Sequence, residues 1–362
     1  MNRELQVEGA MIRVGLVGFG MAGRVFHAPL VSSVEGLELA AVVERHTNHA
    51  AERYPGIKTY RELHDLLGDK SIDLVVVATP SGTHFEVARR VLEAGKNVVV
   101  DKPMAVKSAE IGELIALAKA KDVLLAPFHN RRWDIEFETV RKLLREGLLG
   151  RLVYAESRLD RWRPGATRTA WKDYPEQGGG VLLDLGTHIA DQALALFGKP
   201  LGVSAEVLRE RDGEGADDSF TVRLRYSKLW VILGANNLSS PPGVRILLRG
   251  TKGNFIKRGL DPQEEALNKI TRISSETWGQ EAPSDWGTLH VDVGTGMVTR
   301  PVETIPGDYR LFYVGMRDAV RGEAKPPVTA LEAWRVARVL EWARESSERR
   351  CEIECDWSEE PE

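Results

Sequence analysis

The stretch IRVGLVGFGMAG, residues 12–23, constrains the fold more than any other part of this chain. An apolar run from Ile12 to Val17 opens directly into the turn Gly18, Phe19, Gly20, Met21, Ala22 and Gly23, followed by helix-forming residues from Arg24 to Val31. A buried strand, glycines at this spacing and a following helix predict a dinucleotide-binding βαβ unit. The first glycine allows the tight turn, the second lets a diphosphate approach the backbone, and the third lets helix and strand pack closely. The helix start supplies unpaired N–H groups and partial positive charge for phosphates.

A second apolar run, LELAAVV, ends in Glu44 and Arg45. A carboxylate about 20 residues beyond the glycines can accept hydrogen bonds from the adenine ribose hydroxyls, which favours NAD. Arg45 keeps NADP open as the alternative, because a guanidinium there can pair with a 2′-phosphate.

At 362 residues the chain is long enough for two domains, and its 43% hydrophobic and 28% charged content is that of a globular protein. Residues 12–128 alternate short apolar strands with amphipathic helices, which predicts an α/β domain with a doubly wound parallel sheet over 1–128. Strands are expected at Ile12–Val17, Leu37–Val43, Leu74–Ala78, Asn97–Val100 and Val123–Ala126, with helices at 21–32, 60–67, 84–94 and 109–119.

From residue 129 to 362 the alternation changes. A helix is expected over 133–144, a strand over 153–159 and an apolar helix over 182–196. Alternating runs at 203–208, 219–226, 230–235, 244–248 and 254–256 predict a mostly antiparallel, open sheet with one solvated face. Residues 258–308 are poor in apolar periodicity and read as loops with one short helix, and helices over 310–320 and 330–346 close the chain.

Net charge is −4, with acids and bases interspersed, so neither a nucleic-acid partner nor an anionic membrane is expected. No apolar run reaches the ~20 residues of a membrane span. The opening MNRELQVEGA lacks a signal core, so a cytoplasmic location is expected. Cys351 and Cys355 are too few for a zinc site and read as reduced thiols.

Four further segments could carry chemistry. ATPSGTH places Thr79, Pro80 and His84 just after the third apolar strand, where open parallel sheets bind ligands; Thr83 reads as the cap of the helix starting at His84. VVVDKP puts Asp101 and Lys102 at the same edge, where a partly desolvated ammonium can bond a substrate oxygen. GGGVLLDLGTH sets Asp184 and His188 four apart, on one helix face behind three glycines. Acid–base work on a hydroxyl suits that pair, although a core histidine or a metal pair remains open, and no metal is expected from two ligands. HNRRWD and RWRP, with Trp171, bring Arg131, Trp133 and Trp162 as flat apolar faces and donors for a sugar; Trp133 packed in a domain interface is the equal alternative.

These motifs, in this order, resemble the glucose–fructose oxidoreductase / inositol dehydrogenase / rhizopine-catabolism (Gfo/Idh/MocA) superfamily. The match rests on GFGMAGRVFH, TPSGTH, DKP and GGGVLLDLGTH, while HNRRWD and YRLFY are similar to the subgroup of scyllo-inositol dehydrogenase-like enzymes. Asp101 stands where the family usually carries glutamate, and Glu44 departs from many subgroup members. The resemblance implies Lys102, Asp184 and His188 as catalytic trio, with NAD(P)-dependent oxidation of a secondary alcohol on a cyclic polyol or sugar. It also implies a second domain whose open sheet often mediates oligomers, here a homodimer or tetramer. Some members instead use bound NAD transiently in glycoside cleavage, or act as non-catalytic sensors, and those readings stay open at this point.

Overall fold

The computed structural model describes residues 11–165, 173–273 and 276–361. β1 (Ile12–Val17), β2 (Leu37–Val43), β3 (Lys58–Tyr60), β4 (Leu74–Val77), β5 (Asn97–Val100) and β6 (Leu125–Pro127) form one sheet in the order β3-β2-β1-β4-β5-β6. Every pairing in it is parallel. Strands this apolar are stable only when both faces are covered, and Leu74, Val75, Val76 and Val77 are all fully buried. The strand order reverses between β1 and β4, which opens a crevice beyond their carboxyl ends.

The connections follow the periodicity with local exceptions. α1 (Ala28–Val31) continues a π-wound turn over Gly23–His27. α4 (His84–Glu93) buries His84, Ala88, Val91 and Leu92, one stripe of an amphipathic helix, and α5 (Ser108–Lys121) packs beside it. The helix expected from Tyr60 starts at Leu63 instead, as α3 (Leu63–Gly68). Tyr60 belongs to β3, paired with Val43, and its hydroxyl donates to Asp69 Oδ2 at 2.6 Å. Both β3 and α2 (His49–Arg53) are too short to leave a periodic signal.

After α6 (Ile135–Glu146), a second sheet joins β7 (Leu152–Arg158), β8 (Gly202–Leu208), β9 (Ser219–Arg225), β10 (Trp230–Asn236), β11 (Ile246–Gly250), β12 (Gly253–Lys257), β13 (Gly287–Asp292), β14 (Met297–Val302) and β15 (Ile353–Glu354). Its order is β14-β13-β12-β11-β7-β10-β9-β8-β15, antiparallel except for β7 beside β10. Phe220, Val222 and Leu224 point to the core, packed with residues of α6, α7 (Thr187–Phe197) and α10 (Ala330–Arg349). On the opposite face Arg223 stacks 4.0 Å over the Trp230 ring and Arg249 3.8 Å over Tyr154.

The expectation that residues 258–308 are loops with one short helix needs correction. Besides α8 (Gln263–Leu267), the β13–β14 hairpin lies there. β14 is an edge strand exposed over Met297–Pro301, so it has no buried face to impose apolar alternation.

The two closing helices bind the sheets together. α9 (Arg310–Val320) buries Phe312, Tyr313 and Met316 against the parallel-sheet layer, where each fully buried Phe or Met side chain contributes roughly 1.5–3 kcal/mol. α10 starts with a capping box between Thr329 and Glu332. It sends Trp334 and Ala337 into the first core and Val339 and Leu340 into the second.

Candidate functional site

The carboxyl ends of β1, β2, β4 and β5 converge on a cleft of about 880 Å³, also lined by residues from Asn130 to Glu264. Its floor is the glycine turn. Gly18 has φ +97°, in the left-handed region, and a Cβ there would lie 2.7 Å from the Ala78 carbonyl oxygen. At Gly23, which does not border the cleft, a Cβ would lie 2.2 Å from the Gly18 oxygen, whereas at Gly20 it would meet nothing within 4 Å. Two glycines therefore serve packing, and the third leaves open space facing the cleft, as a cradle for a diphosphate requires. Phe19, Met21 and Ala22 complete this wall.

Glu44 borders the cleft at the end of β2 but is buried, and its oxygens are engaged by the start of α2. Thr47 Oγ1 and His49 N donate to Oε1, and Ala50 N donates to Oε2 at 3.0 Å. Its carboxylate is thus oriented by the protein and keeps acceptor capacity on Oε2. Arg45 stands exposed beside it on the rim.

Thr79 and Pro80 border the cleft after β4. His84, also at the cleft, is 1% exposed, with Nδ1 2.7 Å from the Pro103 oxygen and Nε2 2.7 Å from the Thr79 oxygen. It ties the β4 loop to the β5 loop, and burial lowers its pKa despite nearby Asp101. Thr83 does not cap α4 through its side chain, as the sequence implies; its hydroxyl donates instead to Pro80 O at 2.7 Å, back into the turn. Asp101 accepts from Lys102 N at 2.8 Å and lies 3.7 Å from His27 Nε2. Burial pushes its pKa up, but His27 and Lys102 outweigh this and hold the carboxyl below its usual range. His27 Nδ1 in turn meets the Tyr313 hydroxyl at 2.6 Å, a tie to α9 that no local pattern announces.

In the same cleft Lys102 meets Asp184, and His188 lines the wall beside them. Asp184 lies in a π-wound turn, Leu182–Gly186, that leads into α7, and His188 follows in the first turn of α7. The turns leading into α1 and α7 at the cleft are therefore both locally widened, a feature frequent at functional sites. Lys102 Nζ donates to Asp184 Oδ1 and to its backbone oxygen, each at 2.8 Å. Arg161 Nη2 donates to Asp184 Oδ2 at 3.3 Å, so among the described residues two cations share this carboxylate.

His188 is 6% exposed and borders the cleft, with Nδ1 buried and unpartnered. Burial, reinforced by the Lys102 and Arg131 charges, drives its pKa well below the usual histidine value, so the ring is neutral at pH 7. A neutral imidazole at the head of a Lys–Asp pair can take a proton from a hydroxyl.

The arginine and tryptophans expected at the substrate divide. Arg131 borders the cleft, fixed by Asp134 at 3.2 Å and Glu264 at 2.8 Å. Trp133 does not border it: its ring packs edge-on against Phe312 at 6.0 Å, which is the interface role. Trp162 does not either. It is 57% exposed and bridges to Leu238, because the chain there is extended and alternates sides, sending Arg161 and Arg163 to the cleft and Trp162 to solvent. Trp171 lies outside the described residues. Asn130, Arg161, Arg163 and Glu264 border the cleft without having been singled out; for the two arginines, period-two alternation along RWRP was the available signal. Among the described residues no group of three or more His, Cys, Asp or Glu side chains is arranged to hold a metal ion, and no helix is long and apolar enough to cross a membrane.

Residues 12–129 match the oxidoreductase family, NAD-binding Rossmann fold, and residues 141–354 match its C-terminal alpha/beta domain. The chain belongs to the Gfo/Idh/MocA oxidoreductase family. Within that family it is 39% identical to the uncharacterized oxidoreductase YdgJ of Escherichia coli, over 94% of this chain and 98% of that one. It is 35% identical to the scyllo-inositol 2-dehydrogenase (NADP(+)) IolW of Bacillus subtilis, over 94% of each chain. The oxidoreductase YPO2259 of Yersinia pestis has the same fold at TM-score 0.91 and 39% identity, covering 96% of this chain and 98% of that one. The family's Rossmann domain binds NAD or NADP, and the glycine cradle at Gly18 to Gly23 is shaped for it.

Proposed function

We propose that this chain is a dehydrogenase that interconverts a secondary alcohol and a ketone on a cyclic polyol or sugar, with NAD as the preferred cofactor. The observation that carries this reading is that Lys102, Asp184 and His188 line the same cleft as the glycine cradle. The name of IolW supports the polyol class.

The bound cofactor supplies an oxidised nicotinamide that accepts the carbinol hydrogen as hydride. His188, neutral at pH 7, takes the hydroxyl proton through Nε2, since Nδ1 is buried. Lys102 donates to the reacting oxygen, and Asp184 holds that ammonium in place and stabilises the imidazolium as it forms. The alcohol thus loses one hydride and one proton and becomes the ketone. In the reverse direction His188 returns the proton.

Glu44 favours NAD, because a 2′-phosphate would meet a buried carboxylate oriented by α2. IolW, named for NADP, and the exposed Arg45 mark the competing preference. The test is an absorbance screen at the reduced-nicotinamide band, with NAD and NADP separately, against inositols, aldoses and sugar acids. Turnover with a polyol supports the proposal, and no reduction with any donor removes it. Glu44→Gln, which keeps an acceptor for α2, should shift the cofactor ratio towards NADP. The face of the second sheet turned away from its core, with Trp230 exposed on it beside Tyr154, supports a homo-oligomer, and sedimentation of the purified protein tests it.

A further inference from the structure

Arg161 is the one side chain that both bonds a member of the Lys102–Asp184–His188 set and keeps a guanidinium edge without a partner among the described residues. Nε donates to Asn237 Oδ1 at 3.2 Å and Nη2 donates to Asp184 Oδ2 at 3.3 Å. Nη1 has no protein acceptor among the described residues and is not sealed from solvent, and the side chain borders the cleft. The backbone sets this direction. Arg161 N donates to Asn236 O at 2.9 Å, Ser239 N donates to Arg161 O at 3.1 Å, and Arg163 N donates to Asn237 O at 2.7 Å. Asn237 is itself buried, so the arginine is braced at both its backbone and its Nε.

Asp184 therefore presents two cations side by side, Lys102 on Oδ1 and Arg161 on Oδ2. A carboxylate's oxygens are close neighbours, so donors held on each of them suit a pair of neighbouring oxygens on a ligand. We infer that Arg161 is a specificity-determining residue that binds the oxygen on the carbon next to the reacting one, so that the enzyme requires a vicinal diol or its α-hydroxyketone. This rests on the dehydrogenase reading above, with Lys102 on the reacting oxygen. Arginine suits the task better than lysine would, because its rigid fork can hold Asp184 and a substrate hydroxyl at once.

The test compares the best-oxidised member of a panel of inositols and aldohexoses with the analogue of that compound lacking the hydroxyl beside the reacting carbon. A hydrogen bond to a charged donor sets the expected scale, so the wild-type enzyme should lose about 10- to 100-fold in kcat/KM on the deoxy analogue. In Arg161→Gln that penalty should shrink to within about threefold, since the donor aimed at the missing hydroxyl is gone. Arg161→Lys keeps the charge without the fork, and should give an intermediate ratio if the Gln variant fails to fold. Parallel losses on both substrates would mean that Arg161 only supports Asp184, and would overturn the inference. So would a wild-type enzyme indifferent to the missing hydroxyl, although the dehydrogenase reading would then survive. If no panel member is oxidised by the wild type, both readings fall.

Discussion

The two ends of the cleft are built on different principles. The cradle end uses backbone: Gly18, Gly20 and Gly23 lie within six residues, and their function depends on lacking side chains. The other end uses side chains from distant parts of the chain, with Lys102 and Arg161 ion-paired to Asp184, and Arg131 ion-paired to Glu264. A backbone site is local and therefore leaves a spacing in the sequence. A side-chain site assembled across 160 positions leaves only its members, without their partners.

This contrast predicts that the ends can be broken separately. His188→Ala strikes the side-chain end, and kcat should fall by about 10²- to 10⁴-fold while cofactor affinity, read by fluorescence titration, stays close to wild type. A collapse of cofactor affinity in that variant would show that the two ends are not independent. Gly23→Ala strikes the backbone end. With its Cβ 2.2 Å from the Gly18 oxygen, the turn must shift, and cofactor affinity should drop by at least about tenfold.

Acid should lower the stability before it reaches the chemistry of the side-chain end. His84, His129 and His188 are all held below the usual histidine pKa of 6.5, chiefly by burial. A histidine with a depressed folded value takes up its proton more readily when unfolded. Stability is therefore full above about pH 6.5 and is lost as pH falls below it, visible as a falling Tm between pH 7.5 and 5.5. The acid limb of kcat/KM, by contrast, should lie well below pH 6.5, because His188 stays neutral there in the folded enzyme. Smallest of all, Trp162→Ala should change kcat/KM by no more than about twofold, because that ring faces solvent.

The cradle, the parallel sheet and the Lys102, Asp184 and His188 positions were legible because each follows a strand or a helix periodicity that places it. Glu44 was legible as a position at the end of β2, but its capture by Thr47, His49 and Ala50 was not, since a five-residue helix such as α2 leaves no period. Trp133 took the interface role that stood as its equal alternative. Trp162 misled as a substrate contact because it was read by composition and not by the period-two alternation along RWRP. The β13–β14 hairpin was missed because an exposed edge strand has no reason to alternate.

By itself, the sequence determined the dinucleotide-binding unit, the two-sheet plan and the positions of Lys102, Asp184 and His188 at element ends that border the cleft. Those features depend on backbone freedom and hydrophobic period, both of which act over a few neighbouring residues. Only the tertiary structure decided that Asp184 is shared by Lys102 and Arg161, that His188 is buried enough to remain neutral, and that α9 and α10 lock onto the first sheet. Charge pairing and desolvation depend on what surrounds a group in space, and the chain order does not record that.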